Sequence, residues 1–68
     1  MTRDELVRRL RRVARARGVA FDVDTGRGKG SHAVIRLGDR RAVVPRGELK
    51  RGTLRGILRQ LGVDEEAL

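Results

Sequence analysis

The stretch "HAVIRLGDRRAVVP", residues 32–45, has the hydrophobic pattern of a β-hairpin. In its first half, apolar residues recur at every second position, which is the period of a strand that buries one face. The buried set is Ala33, Ile35 and Leu37, and the opposite set is His32, Val34 and Arg36. A short turn over residues 38–40 leads to a strand over residues 42–44, which Pro45 ends because proline cannot donate to a central ladder. The stretch predicts two paired strands, with His32 facing away from the core.

Another strand precedes this stretch. Val19, Phe21 and Val23 alternate with Ala20, Asp22 and Asp24 at the same period of two. Phe21 is the only aromatic residue of the chain, and we expect it in the core. Short strands in direct succession predict an antiparallel meander.

A helix is predicted before the strands. Thr2-Arg3-Asp4-Glu5 has the spacing of a capping box, in which Thr2 accepts from the amide of Glu5 and Glu5 reaches back to the amide of Thr2. The helix should begin at Arg3 and end at Gly18, a left-handed cap. One face is apolar, and the opposite face, which we expect to meet anions, carries Arg8, Arg11, Arg12 and Arg15.

A last helix follows a linker over residues 46–52. Its N-cap is predicted at Thr53 and its C-cap at Gly62, and its apolar stripe consists of Leu54, Ile57, Leu58 and Leu61. Gly56 inside the helix costs about 1 kcal/mol relative to alanine, unless it permits close packing. Asp64 is predicted to cap a final turn over residues 65–68. The chain is therefore expected to form one α+β domain over residues 1–68, ordered α-β-β-β-α, with two helices on one face of a three-stranded antiparallel sheet.

Charge points to the class of partner. The 68 residues include 17 basic and 9 acidic side chains, which gives a net charge of +8, and nearly all the cations are arginines. Such an excess favours a polyanionic partner, most often nucleic acid, although a solvated basic surface would have the same composition. The chain has no cysteine, and neither a secretion signal nor a membrane span is found in it, so we expect a cytoplasmic protein.

The loop "GRGKGSH", residues 26–32, concentrates glycines and cations beside the only histidine. It is not a nucleotide-binding P-loop, because the glycine spacing before Lys29 is wrong. Without cysteine, a single histidine cannot form a usual zinc site. Ser31 and His32 are consecutive in a strand and point to opposite faces, which argues against serine hydrolase chemistry.

Metal-free ribonuclease chemistry asks for less. It needs a group that moves a proton at the ribose 2′-hydroxyl or at the leaving 5′-oxygen, and cations that stabilise the charge building on the phosphate. His32, Lys29 and nearby arginines would supply these. Spacing alone favours a surface residue or a passive phosphate contact over catalysis, so the residues themselves leave both interpretations open.

Three segments together resemble the HicA toxin family, small mRNA interferases of HicAB toxin–antitoxin systems. They are "GKGSHAVIRL" at residues 28–37, "VVP" at residues 43–45 and "ELKRGTLRGILRQLGVDEEAL" at residues 48–68. The resemblance implies a double-stranded-RNA-binding-domain-like fold, no cofactor or metal, mRNA as substrate, His32 as the catalytic residue and a HicB-like antitoxin that blocks the site. We expect the toxin alone to be a monomer.

The RNA contacts are expected on the loop and on the strand that follows it. They are Arg27, Lys29, Gly30, Ser31 and Arg36. Arg36 is expected as a same-face neighbour of His32 and, with Lys29, to stabilise the charge that develops on the phosphate. Many members of the family carry a second histidine after the Val-Pro, where this chain has Arg46-Gly47. The catalytic partner of His32 is therefore open among Lys29, an arginine, water and the ribose itself.

The principal alternative is a non-catalytic double-stranded-RNA-binding module, which shares the topology and a glycine-rich loop ending in histidine. Such modules begin their last helix with a lysine cluster, and "ELKRGTLR", residues 48–55, is less cationic than that. An inactive relative that only binds the antitoxin is a further alternative. A helix-turn-helix DNA binder is disfavoured because the strands separate the two helices.

Overall fold

The computed structural model describes residues 1–26 and 32–68 of the chain. The elements follow in the predicted order α-β-β-β-α: α1 Arg3–Arg17, β1 Phe21–Asp24, β2 Ala33–Leu37, β3 Arg40–Val44 and α2 Arg51–Leu61. A 3-10 helix, Glu65–Ala67, comes after α2.

The three strands form an antiparallel meander in the order β1-β2-β3, as predicted. The central strand fixes the register, since Ile35 pairs with Val23 on one side and with Ala42 on the other. Every inward position of β2 is buried, and two of these residues, Ile35 and Leu37, join one hydrophobic cluster with the apolar stripes of both helices. Both helices therefore cover the same face of the sheet, consistent with a double-stranded-RNA-binding-domain-like α+β fold.

The caps of α1 follow the prediction in part. The Thr2 hydroxyl accepts from the Glu5 amide at 3.2 Å, and Gly18 ends the helix with φ of 67°. The predicted return bond from the Thr2 amide to the Glu5 carboxylate is not found among the described residues. The carboxylate instead accepts from Arg9, one turn later, at 3.0 Å.

The start of β1 differs from the prediction. Val19 precedes the strand and is 39% exposed, because its amide donates to the Ala14 carbonyl at 3.0 Å and so completes the end of α1. Phe21 is half-buried rather than central: its ring packs against the core, with the Arg11 guanidinium 5.6 Å from the ring centroid. The helix cap thus delays the strand by two residues.

The start of α2 also differs. The helix begins at Arg51 with Lys50 as N-cap, so the prediction of Thr53 as the cap is wrong. Buried Leu49 fixes the chain just before the helix, and the Leu54 amide already donates to the Lys50 carbonyl at 2.9 Å. Gly62 ends α2 as predicted, with φ of 68°.

Two smaller predictions about the C-terminal region are corrected. Asp64 stands at the N-cap of the 3-10 helix, but its side chain makes no capping bond. A Cβ added at Gly56 would meet no described atom within 4 Å, so close packing does not explain this glycine.

Backbone bonds tie the N-terminus to the segment between β3 and α2. Thr2 forms an isolated antiparallel bridge with Glu48, the Arg3 amide donates to the Gly47 carbonyl at 2.9 Å, and the Leu49 amide donates to the Met1 carbonyl at 2.9 Å. Both helices therefore begin at the same end of the domain. At the other end, the Arg17 guanidinium donates to the Gly62 carbonyl at 3.3 Å.

Removing the α1 cap should destabilise the fold. Thr2→Ala deletes the hydroxyl that accepts from the Glu5 amide and is expected to lower the free energy of unfolding by about 1 kcal/mol. Thr53→Ala is the matched control, since Thr53 is exposed and does not cap α2. Urea unfolding measures both, and an equal loss in the two variants would contradict the assignment of the cap.

Gly56 inside α2 and Gly62 at its C-cap should respond oppositely to alanine. Gly56→Ala is expected to raise the free energy of unfolding by about 1 kcal/mol, because alanine favours a helix interior and open space surrounds the site. Gly62→Ala is expected to lower it by roughly 1–2 kcal/mol, since the residue is left-handed. Its new Cβ would also lie 3.0 Å from the Arg40 Nε. A thermal or urea unfolding series in which both variants shift in the same direction would contradict this account.

Candidate nucleic-acid interface

His32 lies immediately before β2 and is exposed. The strand alternation that buries Ala33 places His32 on the opposite face of the sheet, which carries no helix. We call this the open face. Its other members are Asp22 and Asp24 of β1, Val34 and Arg36 of β2, and Arg41 and Val43 of β3.

Arg36 lies on the open face, but it is not the immediate neighbour of His32. It follows the histidine by four residues, and at a strand rise of about 3.3 Å per residue their Cα atoms are roughly 13 Å apart. Val34 occupies the position between them. If an RNA strand lies on this face with one phosphate at the imidazole, an arginine at this distance reaches the next phosphates of the RNA more easily than that one.

Arg36 also has a carboxylate partner. Its Nη1 atom lies 3.6 Å from Oδ2 of Asp22, the residue with which it pairs across β1 and β2. Both side chains keep substantial contact with solvent, so this ion pair is weak and a phosphate can compete for the guanidinium. On the other side Arg36 pairs with Arg41, which supplies a second cation in the same row.

An apolar patch separates this row from His32. Val34 and Val43 are cross-strand partners on the open face, and Val43 is 56% exposed. A shallow depression runs from the two valines around β3 to Gln60 of α2. The open face therefore combines a histidine, an apolar centre, two arginines and the carboxylates of Asp22 and Asp24 within the length of one strand.

Arg46 joins the site through the strand register. Extending the pairing of β2 and β3 by one residue beyond Ala33 and Val44 sets Pro45 opposite His32, and exposed Arg46 comes next. Our sequence predictions did not assign a role to Arg46. Counting residues across the hairpin was the signal that could have found it, once the turn had been fixed at residues 38–39.

The N-terminus of α2 adds positive charge to this end of the domain. Both helices begin here, and each N-terminus carries partial positive charge from its free amides. In α1, Asp4 and Glu5 offset that charge, whereas the first turn of α2 has no acidic residue and no side-chain cap. Lys50 and Arg51 add full charges at the start of α2.

Several predicted contacts lie outside the described residues. These are Arg27, Lys29, Gly30 and Ser31, whose roles stay predictions. Within residues 1–26 and 32–68, no group of three or more histidine, cysteine, aspartate or glutamate residues could hold a metal ion. No helix in that part of the chain has both the length and the apolar character needed to cross a membrane.

Comparison with known proteins identifies the family. A family model described as the HicA toxin of bacterial toxin–antitoxin systems matches residues 4–63, which is most of the chain. No match was found among curated proteins or among solved structures. The matched region includes all of α1 except Arg3, all of α2, the whole sheet and His32. The chain therefore belongs to the HicA toxin family, as the resemblance in its sequence predicted.

Proposed function

We propose that this protein is a toxin that cleaves mRNA as a metal-independent endoribonuclease, with His32 as general acid or base. The observation that carries the proposal is the position of His32: an exposed imidazole on the open face, at the end of the domain where both helices begin. Membership of the HicA toxin family supports the toxin role. The action on mRNA implies a cytoplasmic location.

The proposed reaction needs only one proton removed and one delivered. The ribose 2′-oxygen attacks the adjacent phosphorus and loses its proton, while the bond to the 5′-oxygen breaks and that oxygen gains a proton. The products are a 2′,3′-cyclic phosphate and a 5′-hydroxyl. Because the nucleophile belongs to the substrate, neither a metal-bound water nor a covalent enzyme intermediate is required. His32 carries one of the two proton transfers, and its partner is open.

Cations near His32 would stabilise the charge that builds on the phosphate. Arg27 and Lys29 of the loop are the predicted groups, Gly30 would let the phosphate approach the backbone, and Ser31 is a further predicted RNA contact. We add Arg46, which the register brings close to His32. Arg36 lies two residues beyond Val34, and its guanidinium is paired with Asp22. It is therefore better placed to bind the phosphate next to the one at His32.

An antitoxin partner follows from the family, and we propose that it is HicB-like. An acidic surface covering His32 and the surrounding cations would associate rapidly with a chain of net charge +8 and would exclude RNA. The toxin alone is expected to be a monomer, and its binding to the antitoxin should weaken as salt rises.

A non-catalytic double-stranded-RNA-binding module is the second candidate. The uncapped N-terminus of α2, with Lys50 and Arg51 beside it, would suit a duplex phosphate. This candidate predicts RNA binding without cleavage, and it gives the exposed His32 no role beyond contact.

Replacing His32 tests the catalytic assignment. His32→Ala should lower the cleavage rate of a defined RNA by about 10²–10⁴-fold, the usual range for loss of an acid–base group. Asp39→Asn is the control, because exposed Asp39 lies in the turn at the far end of the sheet. Cleavage by the wild-type chain should persist in excess EDTA. Wild-type rates from His32→Ala, with the fold verified by circular dichroism, would overturn the assignment.

Arg46 should matter more than an arginine far from His32. Arg46→Gln is expected to lower kcat/KM on a short RNA by roughly tenfold, since it removes a charge-assisted phosphate contact. Arg59→Gln is the matched control, because Arg59 is exposed in the last turn of α2, away from the end that holds His32. Steady-state cleavage assays compare the two, and equal losses would show that Arg46 acts only through net charge.

A further inference from the structure

The outer face of α1 carries a row of arginines that the reaction at His32 does not use. Arg8, Arg11, Arg12 and Arg15 are all exposed there. We call this row the α1 stripe. The opposite side of the helix faces the core, where Leu6 and Leu10 are fully buried, so Arg8, Arg12 and Arg15 point away from the sheet.

Other arginines of α1 have partners, but most of the stripe does not. Arg9 pairs with Glu5 at 3.0 Å, and Arg17 donates to the Gly62 carbonyl at 3.3 Å. Within the stripe, Arg11 lies over the Phe21 ring. Among the described residues, no carboxylate comes within ion-pair distance of the rest of the stripe, Arg8, Arg12 and Arg15.

The spacing of these arginines fits an extended polyanion. Arg8, Arg12 and Arg15 span about 10 Å along two helical turns, at 1.5 Å per residue. Guanidinium groups bind phosphates in a bidentate manner, and successive turns of the helix offer such groups at regular intervals. Asp4, exposed one turn before Arg8, is the acidic residue that bounds the row. A small anion would use one of these arginines, whereas a nucleotide strand would use several.

The stripe and His32 lie on opposite sides of the domain. α1 packs under the sheet, and His32 belongs to the open face above it. The smallest extent of the domain is 17 Å between Cα atoms, so only an RNA of several nucleotides can contact both. The path of such an RNA between the two surfaces is shortest at the end of the domain that holds His32, because α1 begins there.

We propose that the α1 stripe is a second phosphate-binding surface, which holds a long RNA substrate at a distance from the site of cleavage. The role of the stripe in holding a substrate rests on the proposed ribonuclease function, but the binding of RNA to the stripe does not. It makes the affinity for RNA depend on length: a dinucleotide reaches His32 alone, and a longer strand also engages Arg8, Arg12 and Arg15.

The test compares two double variants of the same design. Arg8→Gln/Arg12→Gln removes two cations of the stripe, and Arg55→Gln/Arg59→Gln removes two exposed cations with the same spacing on α2. Arg55 is already paired with Glu65 at 3.7 Å, and Asp64 lies beside both control positions. Both variants lose the same net charge, so a difference between them reports on position.

Binding is measured by fluorescence anisotropy with a labelled 2′-O-methyl RNA of roughly 20 nucleotides, which lacks the attacking hydroxyl. The stripe variant should raise Kd about three- to tenfold at low salt and reduce the slope of log K against log salt by about 1.4, the loss expected for two single-strand phosphate contacts. The α2 variant should keep Kd within about twofold of the wild-type value and should leave the salt slope nearly unchanged. Equal changes in the two variants would overturn the proposal. Labelled polyglutamate is measured as a second probe, and a stripe variant that loses affinity for polyglutamate but not for RNA would also overturn it, because that result would assign the stripe to an acidic protein.

Cleavage separates this inference from the proposed function. The stripe variant should raise KM for a long RNA and leave kcat/KM for a dinucleotide unchanged. If the wild-type chain cleaves neither RNA but the stripe variant still loses affinity, the ribonuclease proposal fails and the stripe stands. If the wild-type chain cleaves RNA and the stripe variant matches the α2 variant in binding and KM, the stripe proposal fails alone.

Discussion

The pairing of β2 with both of its neighbours determines which side chains enter the core and which face solvent. Ile35 is fully buried at the centre of the sheet and pairs with Val23 and Ala42. A slip of one residue would reverse the faces of the strand and turn Arg36 and the position of His32 toward the core, with no buried partner for the charge. The alternation that builds the core therefore also keeps the histidine in contact with solvent.

Local patterns predicted the elements, but long-range contacts set two of their boundaries. The order of helices and strands, the Thr2 cap and both glycine C-caps were readable because each depends on residues within one or two turns. The start of β1 was not, since the Val19 amide completes the end of α1. The start of α2 depends on buried Leu49 and on the bonds between the N-terminus and residues 47–49, which no local spacing reveals.

In the candidate site, too, some features follow from the local sequence pattern and others depend on long-range pairing. The exposure of His32 followed from the period of the strand alone. The distance of Arg36 from the histidine, its ion pair with Asp22 and the approach of Arg46 required the cross-strand register. The surface that we propose for RNA thus extends from His32 past the valine pair to Arg36 and Arg41, while the helical side presents a separate row of arginines.

If His32 promotes attack by the ribose 2′-hydroxyl, the chemical ends of the cleaved RNA will show it. A defined RNA is incubated with the purified chain in EDTA, and the fragments are identified by mass spectrometry. We expect a 2′,3′-cyclic phosphate on the upstream fragment and a 5′-hydroxyl on the downstream one. A 3′-hydroxyl paired with a 5′-phosphate would exclude this mechanism, because those ends come from attack by water.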